Sequence, residues 1–91
     1  MSSTELSPDR TAIILAGHTA KVWSVAFTPD GATLATASGY RSVRLWHVVT
    51  GQQTAVLTGH TRTVTSVTFF PDGGTLATAS YDDTVRLWDL F

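Results

Sequence analysis

Cysteine is absent from this 91-residue chain, which excludes a disulfide framework and any thiolate metal site. Charge is scarce as well: charged residues make up 14%, and a net charge of −1 with a pI near 6.2 provides no field for gathering phosphates. Nucleic acid is thereby excluded as a general partner. No apolar run is long enough to span a bilayer, and the stretch from Met1 to Arg10 carries Glu5 and Asp9 where a secretory signal would need an apolar core. The expectation is a soluble, cytoplasmic protein with no membrane association. A 3.6-residue period, a phosphate-cradling glycine loop and a histidine–carboxylate metal spacing are all missing too, so neither helix nor cofactor is expected.

What the chain does hold is a core-forming composition, 43% hydrophobic, written twice. Gly17-His18, Pro29-Asp30-Gly31 and Leu45-Trp46 return as Gly59-His60, Pro71-Asp72-Gly73 and Leu87-Trp88, always 42 residues later and without insertion. A fixed period of this length marks a repeat architecture, in which one unit cannot bury its apolar surface alone and must stack on a neighbour. The natural division is a leader over residues 1–7, a first repeat over 8–49 and a second over 50–91.

Each repeat contains four short β-type segments separated by turn chemistry. The first is Thr11 to Leu15, matched by Thr54 to Leu57. The second, Val22 to Phe27 and Val64 to Phe69, runs into an Asp-Gly pair able to take the positive φ of a tight hairpin. Leu34 to Ala37 and Leu76 to Ala79 form the third; Val43 to Val48 and Val85 to Leu90 form the fourth. Neither alternating set is strongly polar, with Leu34, Thr36 and Ser38 on one face and Ala35 and Ala37 on the other, so the sheets should be covered on both sides. Arg44 and Arg86 are the exceptions, with stems long enough to keep their heads in water.

Together, these motifs resemble the WD-repeat β-propellers, in which four-stranded antiparallel sheets are arranged as blades around an axis. In that family a repeat supplies the outermost strand of one blade and then the three inner strands of the next. The resemblance therefore implies one complete blade, Val22 to Val48 plus Thr54 to Leu57, and a last blade lacking its outer strand. The Thr11 to Leu15 strand of another copy could fill that place, so the expected fold is all-β, with two blades completing a closed propeller by homo-oligomerisation and exchange of outer strands. Rings of two-blade chains hold even blade numbers. Eight blades need about 45° each and six about 60°, against about 51° for the common seven, which favours a homotetramer over a trimer. So short a piece, in phase with its repeat, looks like an excised or engineered fragment.

The resemblance also implies a buried hydrogen-bond chain, from Trp88 through Thr78 and His60 to Asp82, with His18, Thr36 and Trp46 as the first-repeat set. Tyr40 stands there in place of Asp82, and His47 in place of Asp89. A hydrolase reading of His60, Asp82 and a hydroxyl at Thr78 or Ser80 competes with this structural one. For recognition the family uses the wide end of the channel, which by position means Lys21, Trp23, Gly39 and Arg41 in the first repeat and Thr63, Thr65 and Tyr81 in the second. Trp23 either anchors a protein partner or folds over its own loops. Three functions are in view: a non-catalytic self-assembling scaffold for proteins or peptides, a purely structural module without a ligand, and, third, a hydrolase.

Overall fold

The computed structural model describes residues 14–18, 20–39 and 41–90. Seven strands are present: β1 (Val22–Phe27), β2 (Thr33–Ser38), β3 (Ser42–His47), β4 (Gln53–Thr58), β5 (Val64–Phe69), β6 (Thr75–Ser80) and β7 (Val85–Asp89). All pairings are antiparallel and between consecutive strands, giving a four-stranded sheet β1-β2-β3-β4 and a three-stranded sheet β5-β6-β7. Among the described residues the second sheet thus ends on β7, with no fourth strand. Thr11 to Ile13 of the expected first strand lie outside the described residues, and Ile14 and Leu15 are in no strand. Among the described residues no helix is long and apolar enough to cross a membrane.

The Pro-Asp-Gly turns differ from the tight hairpin expected of Asp-Gly. Gly31 N–H donates to Thr28 O at 2.8 Å and Gly73 N–H to Phe70 O at 2.9 Å. Positive φ falls on the glycines alone, at 74° and 70°. Proline fixes the second position of a type I-like turn, and the aspartate side chain closes it by accepting the backbone N–H two residues on, Ala32 at 2.9 Å and Gly74 at 2.8 Å.

Residues paired directly across an antiparallel ladder share a face. On one face of the first sheet lie Ala26, Ala35, Ala37, Val43, Leu45, Ala55 and Leu57; on the facing side of the second lie Val67, Phe69, Leu76 and Trp88. These two sets, with Val64 and Leu90, form the core. Alanines on β2 let β5 approach β1 and β2 closely.

The outer faces carry the same residues with the sheets exchanged. Ala77, Ala79, Val85 and Leu87 of the second sheet repeat Ala35, Ala37, Val43 and Leu45, while Val25, Phe27, Leu34 and Trp46 of the first repeat Val67, Phe69, Leu76 and Trp88. Ala35, Ala37, Val43 and Leu45 of the first sheet and Val67, Phe69, Leu76 and Trp88 of the second belong to the core, and Trp46 is buried as well. Val85 and Leu87, in contrast, are 67% and 64% exposed, and Val25 and Phe27 are each more than half exposed.

Candidate functional site

The second sheet positions a continuous side-chain chain. Trp88 Nε1–H donates to Thr78 Oγ1 at 2.9 Å, and Thr78 Oγ1 lies 2.7 Å from His60 Nε2. His60 Nδ1 is 3.0 Å from Asp82 Oδ2. A hydroxyl has one proton, and because a carboxylate can only accept, the consistent assignment is Nδ1–H donating to Asp82 and Thr78 O–H donating to Nε2. Asp82 Oδ2 also accepts Thr61 N–H at 3.0 Å, and Oδ1 accepts both the N–H (2.9 Å) and the hydroxyl of Thr84. Gly59 makes room for the arrangement, since a β-carbon there would stand 3.2 Å from Arg86 Cζ and 3.3 Å from Trp88 Cη2.

These distances also match a nucleophile, base and carboxylate. Thr78, however, is 1% exposed, its oxygen is held by the Trp88 indole, and the His60 side chain is 1% exposed. No substrate carbonyl can reach the hydroxyl without dismantling the sheet, and geometry rather than residue type defines a triad. Ser80, the other hydroxyl considered, donates to Arg62 O at 3.1 Å.

The Thr84 hydroxyl, aided by Thr61 N–H and His60 and opposed by desolvation, holds the Asp82 carboxyl well below the usual carboxylate range. A depressed carboxylate contributes stability in full above its unfolded value, about pH 4, and loses it only as the pH falls through the lower folded one.

In the first repeat Trp46 Nε1–H donates to Thr36 Oγ1 at 2.9 Å, and Thr36 is bonded to His18 Nε2. Among the described residues His18 Nδ1 is buried without a partner. Burial, then the Arg44 charge, lowers the His18 pKa. A pKa lowered on folding means that the unfolded chain takes up protons first, so stability is complete above about pH 6.5 and falls as the pH drops through the folded value. The urea midpoint is accordingly expected to fall between about pH 7.5 and about pH 5.5.

Position 40, the counterpart of Asp82, lies outside the described residues. Tyr40→Asp is expected to give Nδ1–H an acceptor, flatten that pH slope and raise Tm by about 4–8 °C, the equivalent of about 1 kcal/mol. A lower Tm with unchanged assembly would count against it.

The model of the family described as "WD domain, G-beta repeat" matches residues 7–47 and 51–89. The chain belongs to this WD-repeat family. Over 46 residues it is 46% identical to "Ribosome biogenesis protein ERB1" of Debaryomyces hansenii and 44% identical to the protein of that name from Candida albicans, covering 50% of this chain and 6% and 5% of those proteins. Over 37 residues it is 51% identical to "Protein Mut11" of Chlamydomonas reinhardtii, 41% of this chain and 10% of that protein. The WD-repeat chain thus spans at most about a tenth of the length of these curated relatives.

In this WD-repeat chain several of the candidate recognition residues form one row across both repeats. Gly39 N–H donates to Lys21 O at 3.0 Å, Thr63 Oγ1–H to Gly39 O at 3.3 Å, and Tyr81 N–H to Thr63 O at 3.0 Å. Trp23 Nε1 lies 3.5 Å from where a Gly39 β-carbon would stand, and the residue is still 52% exposed. Thr65, its counterpart, donates instead to Ala79 O at 3.3 Å and is half-buried. Arg41 is exposed with φ 68°.

Three contributors were not expected from the sequence. Arg62, just before β5, adds a cation at the end of the sheets that carries this row; its position matches Ala20 of the first repeat. Thr84 and Thr61 complete the Asp82 shell, and the Asp-x-Thr spacing of an Asx turn was the available signal. Among the described residues no group of histidines and carboxylates is placed to hold a metal.

Proposed function

We propose that the chain is a non-catalytic protein-interaction scaffold that assembles head-to-tail with copies of itself into a closed propeller. WD repeats make the scaffold role the coarse reading; self-association is the finer one. The observation carrying it is the match between outer and inner faces. Each exposed face repeats one half of a packing that the chain already makes internally. The occupant that fits the Val85 and Leu87 face is therefore the Val25 and Phe27 face of a second copy, and that copy's residues 11–15 would add a fourth strand beside β7.

This reading keeps repeats at 8–49 and 50–91, gives the hydrogen-bond network a structural role and requires no cofactor. An eight-bladed homotetramer is favoured, with a six-bladed trimer second. Native mass spectrometry and light scattering across protein concentrations test it: a discrete tetramer is expected, a trimer would change the wedge angle, and a stable monomer would overturn self-assembly. The purely structural alternative predicts the same ring without any partner.

A further inference from the structure

We propose that the end of the sheets carrying Lys21, Trp23, Arg41, Arg62 and Tyr81 binds an extended acidic segment of a partner protein. The proposal rests on the scaffold reading and names the chemistry of its partner.

Outside the strands, where Arg44 and Arg86 lie, the cations of the described chain fall at one end of the sheets. Lys21, Arg41 and Arg62 lie in loops at the end where His60 meets Asp82. Asp30 and Asp72 occupy the Pro-Asp-Gly turns at the other end, with Asp89 closing β7. Of the two carboxylates at the basic end, Asp82 has both oxygens occupied within its own network, leaving Asp83. The ion pair among the described residues joins His60 to Asp82, so the three loop cations are not neutralised by it. They flank two aromatics, Trp23 at 52% and Tyr81 at 63% exposure. The backbone row from Lys21 through Gly39 and Thr63 to Tyr81 fixes these positions relative to one another across both repeats.

Arg41 supplies a second, independent sign. It adopts φ 68°, as its counterpart Asp83 does at 69°. Aspartate, asparagine and glycine accommodate that left-handed conformation; an arginine gains nothing from it locally. An exposed arginine held in a left-handed turn, at the same end of the sheets as an exposed indole, points to a ligand with negative charge. An acidic peptide fits better than a nucleic acid, because the chain as a whole carries a charge of −1 and its opposite end is acidic.

The test is fluorescence anisotropy on the assembled protein with three labelled peptides, in which glutamates, glutamines or lysines flank one phenylalanine, together with an oligothymidylate. The glutamate peptide is expected to bind, with affinity falling as NaCl is raised, the glutamine peptide about tenfold more weakly and the lysine peptide not at all. Trp23→Ala should weaken binding more than about tenfold. Arg41→Gly should weaken it about twofold to fivefold while raising Tm, opposite signs that a merely structural residue would not give.

Equal affinity for glutamate and glutamine peptides would overturn the acidic class and leave the scaffold standing. No binding of any peptide by a protein that light scattering shows to be assembled would overturn the scaffold face itself. Tighter binding of the oligonucleotide would replace the peptide with a single-stranded nucleic acid.

Discussion

Leu87→Asp is expected to abolish self-association while leaving the protomer folded. Leu87 is 64% exposed in the single chain, so the substitution removes little that the protomer itself buries. Within the ring it would take the place that Leu45 holds inside the chain, where that residue is 7% exposed. Losing a buried leucine costs about 1.5–3 kcal/mol, and sinking an unpaired carboxylate in the same contact adds to that. Association should weaken by at least about 100-fold, near 2.7 kcal/mol, at every interface of the ring. Leu45→Asp is the control, because the same change at the internal copy should unfold the protomer. Sedimentation velocity with circular dichroism separates the two. An unchanged association midpoint for Leu87→Asp would remove the basis for face-to-face stacking.

Thr78→Val should produce the largest loss of stability from a nearly isosteric change. Valine preserves the shape and the β-branch but removes the oxygen that accepts Trp88 Nε1–H and satisfies His60 Nε2. Two polar groups in the core then lose a partner at about 1–3 kcal/mol each, giving about 2–4 kcal/mol in sum when the groups partly relax. For a domain of this size that corresponds to a fall in Tm of roughly 10–25 °C. Ser80→Ala provides the contrast, since its hydroxyl makes one exposed bond to Arg62 O and one part-buried bond from Asp82 N–H, neither inside the core, and should matter less. Urea titrations of both variants decide the matter; a loss below about 0.5 kcal/mol for Thr78→Val would mean that the network contributes little.

Much of the sheet architecture was legible because two independent copies of the pattern agree. Val22–Phe27 and Val64–Phe69 are bounded by the same turns, and the 42-residue offset gives both hairpins the same register, Phe27 opposite Leu34 and Phe69 opposite Leu76. Less visible were the irregularities between Val22 and Ser24 and between Val64 and Ser66, which no glycine announces. The left-handed turn at Arg41 was also hidden, since arginine carries no local signal for that conformation. The chain from Trp88 to Asp82 came from the family pattern, whereas the Thr61 and Thr84 bonds that saturate the carboxylate are local backbone geometry. The gathering of the loop cations at one end required knowing which loops share an end.

The agreement between open and buried faces also bears on how such a protein changes length. A surface that is its own complement under a 42-residue shift imposes no fixed stopping point, because a further unit inserted in phase meets the same residues on both sides. Chains with different numbers of units are then interchangeable tiles. A ring could be shared between short and long chains, with the blade wedge setting the total and the genetic breakpoints left free to move.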